Sequence, residues 1–302
     1  MFIVNHRKIF YALSIILVGG SVFAIWYFGL RYGIEFAGGS LLEGEYSLSR
    51  PSIDTLNNEA SGLGFGNINI QPAGDMGLIV RTRTLNEDEH QVLLKALSSA
   101  GRDESDKFVE RRFDSIGPVI GKELRRKSVV GIIVVMIMII LYIAFAFRKV
   151  SKPVSSFKYG LVAVIALIHD VTIPTGVFAV LGRLQGFEVD ILFITALLTV
   201  LGFSVHDTIV VFDRIRENLR NRVGNTFEET VGASLRQTIA RSINTSFTVI
   251  LVLLALFFFG GETTRYFSLA LVIGVIVGTY SSIFIASPLL VTAHKLQERR
   301  KK

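Results

Sequence analysis

Residues Ala196–Asn218 read ALLTVLGFSVHDTIVVFDRIREN. The stretch begins as a membrane helix and ends as a charge cluster, with His206 and Asp207 inside its apolar part. A carboxylate at the centre of a membrane helix costs roughly 2.5–3.5 kcal/mol on an insertion scale. The apolar neighbours of Asp207 do not account for it. An acid in that position is a functional candidate, and carrying a proton or an ion is the work that suits it.

Working outward, the composition is that of a membrane protein. Half of the 302 residues are apolar and the mean hydropathy is positive, which together mark a membrane protein and not a soluble domain. There is no cysteine, which excludes disulfides, thiolate metal sites and a cysteine nucleophile. The formal charge of +7 sits in segments that flank apolar runs. That is the positive-inside pattern of membrane topology, and no nucleic-acid partner is expected. The chain has no Gly-rich phosphate loop, His–Glu zinc motif or Gly-x-Ser-x-Gly elbow. No cofactor or metal is therefore expected, and an enzyme is the least supported reading. The coupling ion would be H⁺, with Na⁺ as the alternative a carboxylate also serves.

Six segments, near 9–30, 128–147, 159–181, 189–212, 242–260 and 266–291, reach the roughly 20 residues a spanning helix needs. Lys and Arg concentrate in 148–158 (Arg148, Lys149, Lys152, Lys158), in 213–241 and in the tail 292–302. The hairpins near 183–188 and 260–265 carry one Arg each. Both termini are therefore expected in the cytoplasm. Arg125, Arg126 and Lys127 lie just outside the second span, but long external domains translocate largely regardless of charge.

The expected fold is a polytopic α-helical membrane protein with an external α+β domain, 31–127, between helices 1 and 2. Leu41–Ser47, Asn67–Gln71, Leu78–Arg83 and Lys107–Asp114 read as strands, with a turn at 72–75. Pro51–Leu63, opened near Ser49 or Pro51, and Glu87–Ala100 read as helices. The order βαββαβ predicts a ferredoxin-like sandwich. In 213–238 the polar pattern predicts amphipathic helices on the cytoplasmic surface. Thr226 and Glu229 form a capping-box pattern there.

Asp207 lies about six residues from the cytoplasmic end of its span, roughly 9 Å deep at 1.5 Å per residue. Arg241 enters the membrane from the same side at the start of the fifth span, so the two could meet. A movement that brings the arginine close or takes it away would then release or load a proton. The bland alternative is a static ion pair that fixes helix register. His169 and Asp170, near the middle of the third span, read equally as a second relay or as a hydrogen bond to a neighbouring helix. Gly274 and Gly278 form a Gly-x-x-x-Gly that favours close helix packing. Thr245, Ser246 and Thr248 are candidates for hydrogen bonds around the acid. Asp190 reads as an interface residue, and Asp213 as structural with Arg216 as its partner.

Four stretches resemble the SecF family, the smaller membrane partners of SecD in bacterial protein export. They are Tyr32–Gly39 (YGIEFAGG), Ile168–Val171 (IHDV), Leu201–Asn218 (LGFSVHDTIVVFDRIREN) and Gln237–Ser246 (QTIARSINTS). The resemblance covers nearly the whole chain, and the last two stretches are long and specific. The family commonly carries Asp where this chain has Glu35. The resemblance implies a six-helix half of an RND-type transporter in the bacterial cytoplasmic membrane, with SecD supplying the other half. It also implies the SecYEG channel, exported preproteins, membrane lipids and, as further candidates, YajC and YidC as partners. Proton-gradient coupling is implied at Asp207 and Arg241.

One charge moved across 100 mV is worth about 2.3 kcal/mol, so a driving force near ~180 mV supplies roughly 4 kcal/mol per proton. Swinging a two-state equilibrium from 1:99 to 99:1 takes about 5.5 kcal/mol. Full gating is therefore expected to use a second protonatable group, on SecD or at His169–Asp170. Two other readings compete: a small-molecule or lipid exporter of the same superfamily, and a passive scaffold of the export channel. A single external domain argues against the first. Substitution of Asp207 separates the second.

Overall fold

A computed structural model describes residues 2–101, 107–147 and 154–299. The linker residues Arg148, Lys149 and Lys152 and the tail residues 300–302 lie outside them. The chain divides into two units, Met1–Arg31 with Val130–Lys302, and Tyr32–Val129.

In chain order the helices α1 (Phe2–Asn5) and α2 (Arg7–Phe28) come first. The second unit follows with α3 (Ile34–Ala37), β1 (Gly39–Tyr46), α4 (Ile53–Ser61), β2 (Asn69–Ala73), β3 (Gly77–Thr82), α5 (Glu87–Ser99) and β4 (Phe108–Ile116). Next are α6 (Pro118–Ala146), α7 (Ser156–Gln185), α8 (Ile191–Arg220), α9 (Phe227–Phe259) and α10 (Glu262–Tyr280). A π-helical turn, Ser281–Ala286, then leads into α11 (Ser287–Arg299).

The Tyr32–Val129 unit is a four-stranded antiparallel sheet in the order β2-β3-β1-β4. With α4 and α5 as its crossovers, this is the ferredoxin-like arrangement. Leu42, Tyr46, Leu78 and Val80 bury one sheet face against Leu56, Leu93 and Leu97 of the helices. Local chemistry moves two expected boundaries. Ser52, rather than Ser49 or Pro51, caps α4, accepting from Thr55 N at 3.2 Å. Pro72 and Ala73 belong to β2, not to the turn; β2 is an edge strand, where a proline without an N–H is tolerated. Asn86 and Glu89 form a full capping box on α5 that the sequence reading did not single out.

Six helices among the described residues are long and apolar enough to cross a membrane: Arg7–Phe28, Pro118–Ala146, Phe157–Gln185, Ile191–Arg220, Phe227–Phe259 and Thr264–Arg299. Within the first unit α7, α8 and the sixth span, Thr264–Arg299, are the most buried of the spanning helices. Close helix approach comes from small residues. A Cβ on Gly176 of α7 would lie 2.3 Å from Ser21 Cβ of α2, and one on Gly274 of α10 would lie 2.1 Å from Val200 Cγ2 of α8.

The segment 213–238 departs from expectation. It forms no separate surface helices; α8 runs on to Arg220 and α9 starts at Phe227, fifteen residues before the expected span. Tertiary packing explains this. Ile215, Phe227, Val231 and Leu235 are buried in the common core. The polar groups meet across the hairpin, where Asn218 Nδ2 donates to Ser234 Oγ at 2.8 Å and to Gln237 Oε1 at 2.9 Å. Thr226 caps α9 at Glu229 N, and Glu229 reaches back to Asn225 N.

The expected sixth span, 266–291, is likewise interrupted by the π-helical turn. Pro288, just after it, has no N–H to give and its ring crowds the carbonyl four residues earlier. At the end of the turn, Ser287 Oγ donates to Ser282 O at 3.2 Å. The basic tail continues as helix to Arg299.

Candidate functional site

Two acids are buried in the first unit. Asp170 is fully buried on α7 and Asp207 is 3% exposed on α8. On α8, Ser204 and Asp207 are three residues apart and share one helix face. Ser204 faces α7 and Asp207 faces α9 and the π-helical turn. On α7, Pro174 cannot supply an N–H to the carbonyl of Asp170, so the helix is loosened at the acid.

Asp207 accepts two hydroxyl hydrogen bonds. Ser242 Oγ of α9 reaches Oδ1 at 3.1 Å, and Ser282 Oγ of the π-helical turn reaches Oδ2 at 3.4 Å. Among the described residues no lysine or arginine forms an ion pair with it. Arg241 is exposed. One residue along a helix is a rotation of about 100°, and it is Ser242 whose side chain faces α8. Arg241 instead lines a cleft of about 240 Å³ between α8 and α9, with Asp213, Glu217 and Thr238. Arg241 forms no ion pair with Asp207 in this structure; it lines the cleft while the next residue, Ser242, meets the acid. Asp213 pairs with Arg216.

Asp170 takes three donors: His169 Nδ1 at 2.9 Å on Oδ1, and Ser281 Oγ at 2.8 Å and Ser204 Oγ on Oδ2. His169 Nε2 lies 3.1 Å from Ser14 Oγ of α2, and its ring stacks on Tyr280.

The hydroxyls expected around the acid are not those found. Thr248 bonds the Thr245 carbonyl on its own helix, and Ser246 pairs with Thr279 at 2.5 Å. Ser242, Ser282, Ser204 and Ser281 were missed. The signal for them was the stripe Thr238, Ser242, Ser246 at four-residue spacing and the double serine in an apolar run. Gly278 faces Ser204, whose Cβ would stand 3.1 Å from an added Cβ, so the two glycines let α10 approach the acid-bearing face of α8. Asp190 caps α8, accepting from Phe193 N at 2.7 Å.

The family model described as protein export membrane protein SecD/SecF, C-terminal, matches residues 96–296. The SecF translocase subunit of Thermobaculum terrenum is 46% identical, covering 96% of this chain and 93% of its own. That of Anaerolinea thermophila is 40% identical over 96% and 92%. The chain belongs to the SecF family. A SecDF protein of Brucella abortus, 35% identical over 87% of this chain, has the matching region in 33% of its length. The crystal structure of Thermus SecDF, described as a translocon-associated membrane protein, superposes with a TM-score of 0.81 and 32% identity, covering 97% of this chain. This SecF-family chain spans 38% of that SecDF chain. With its six apolar helices it is a multi-pass protein of a bacterial membrane.

Proposed function

We propose that this chain works as the SecF half of a SecD–SecF pair in the Sec protein-export machinery, using the proton gradient to help draw preproteins outward. It is a transport subunit and not an enzyme. The observation that carries the reading is Asp207: a nearly fully buried carboxylate in a membrane helix, held by two serine hydroxyls and in no ion pair with a lysine or arginine among the described residues. Such a group is stable in the apolar interior when neutral and is strained when ionised, so its charge state biases the helices packed around it. Arg241 lines a cleft between α8 and α9 together with Asp213 and Glu217, which places charged groups near that end of the two helices. H⁺ is the coupling ion, with Na⁺ as the competing ion.

The SecDF relatives join both halves in one chain, which supports SecD as the partner here. The SecYEG channel, exported preproteins and, further out, YajC and YidC belong to the same reading. So does the orientation with both termini in the cytoplasm. The test is Asp207→Asn in vesicles holding the chain with SecD and SecYEG. SecD should copurify unchanged while gradient-dependent stimulation of preprotein export is lost. Unchanged stimulation would show a passive scaffold instead.

A further inference from the structure

The His169–Asp170 pair is the more deeply buried of the two acid sites. Asp170 accepts from three donors, which is the pattern of an ionised carboxylate. His169 is 5% exposed, and no lysine or arginine among the described residues reaches the pair. An unneutralised carboxylate there is costly. Ring-proton positions are assigned from the neighbours: Nδ1 lies 2.9 Å from Asp170 Oδ1, where only an N–H can bond a carboxylate, and a second proton on Nε2, 3.1 Å from Ser14 Oγ, would neutralise the pair. The other ionisable group in contact is Tyr280, stacked on the imidazole with its hydroxyl donating to Phe10 O at 3.0 Å.

We propose that His169, held as an imidazolium on Asp170, is a second proton site of this chain, and that the adjacent serines Ser281 and Ser282 join it to Asp207. The link is built into the π-helical turn. Ser281 donates to Asp170 and Ser282 to Asp207. Each hydroxyl also has an acceptor on its own helix, Gly278 O at 3.0 Å for Ser281 and Thr279 O at 3.1 Å for Ser282. A hydroxyl has one proton to give. When Asp207 is ionised, Ser282 gives its proton to the carboxylate. When Asp207 is protonated, Ser282 accepts from the acid and turns its own proton to Thr279 O. The two serines share one backbone turn, and π-helical turns are rare and concentrate at functional sites. Because the two serines are consecutive on that turn, a shift of Ser282 with the charge on Asp207 would be carried to Ser281 on Asp170 and change how firmly the imidazolium is held. Loss of the Nε2 proton leaves a neutral imidazole beside an ionised Asp170.

This inference rests on Asp207 being the coupling acid. It is tested by nitrogen-15 NMR of histidine-labelled chain, reconstituted with SecD in membranes, over a pH series. Five histidines are present, and His169→Gln identifies the resonance of interest by its loss. At neutral pH both ring nitrogens of His169 are expected to be protonated. Asp207→Asn should displace the pH midpoint of that ring, and Ser281→Ala in the Asp207→Asn background should abolish the displacement. A singly protonated His169 ring at neutral pH overturns the second site. A midpoint that ignores Asp207→Asn, or a displacement that survives Ser281→Ala, overturns the link. Export stimulated by the gradient in the Asp207→Asn chain would overturn the reading of Asp207 itself, whatever state the His169 ring shows.

Discussion

Ser242, and not its neighbour Arg241, meets Asp207: its hydroxyl donates to Oδ1 at 3.1 Å while the arginine lies exposed in the cleft. A hydrogen bond to a charged group is worth about 1.5–3 kcal/mol. Ser242→Ala should therefore cut the population of the ionised, bridged state roughly tenfold or more. The expected readout is a matching fall in gradient-dependent export with SecD association intact. Ser242→Thr keeps the hydroxyl and should retain most of the stimulation. Equal stimulation in Ser242→Ala and the parent chain would refute the role.

Pro288 lies two residues past the π-helical turn that carries Ser281 and Ser282, and a helix proline is a recognised cause of such irregularity. Pro288→Ala restores an N–H and removes the ring clash, a change of up to about 3 kcal/mol in favour of regular α-helix. We expect thermal stability in detergent to hold or rise while gradient-dependent stimulation drops. A variant that loses stability instead would mean that the turn is held by its surroundings and not by the proline.

Gly274 packs on Val200 with no room for a Cβ. Gly274→Ala should destabilise the helix bundle by about 1–3 kcal/mol through overpacking, lowering the detergent melting temperature. Val200→Ala added to it removes the clashing methyl groups and should recover part of the loss. Additive losses in the double variant would count against direct contact.

In the Tyr32–Val129 unit, the Arg83 guanidinium holds the Glu89 carboxyl below its usual range, aided by the Asn86 N–H of the capping box. A carboxyl lowered on folding stabilises above its unfolded pKa of about 4.3, and that contribution is lost as pH falls through the lowered folded value. Hydrogen exchange of α5, corrected for intrinsic rate, should accelerate in that window, and Glu89→Gln should remove the acceleration. Asn86→Ala should cost about 1 kcal/mol at any pH, roughly a fivefold loss of protection.

Much of this was legible in the residues because the forces are local. The spacing of apolar runs pointed to six spans, and the alternation in 41–114 to βαββαβ, since each reports only which face of its own element is buried. The acid at Asp207 was legible for the same reason: one sequence position shows a charge in an apolar run. Where 213–238 was misread, the local signal was polar, and the deciding term was burial of Ile215, Phe227, Val231 and Leu235 against distant residues.

What the sequence determined by itself was therefore a membrane-spanning chain, its family, and two intramembrane acids that need an explanation. What only the tertiary structure decided was the company those acids keep. Arg241 and Ser242 are one position apart, and only the rotation of α9 against α8 selects the serine. Ser281 and Ser282 are ordinary small residues until the π-helical turn aims one at Asp170 and the other at Asp207. Hydrogen bonds act over about 3 Å, and residues more than a hundred positions apart in sequence come within that distance only when helices pack.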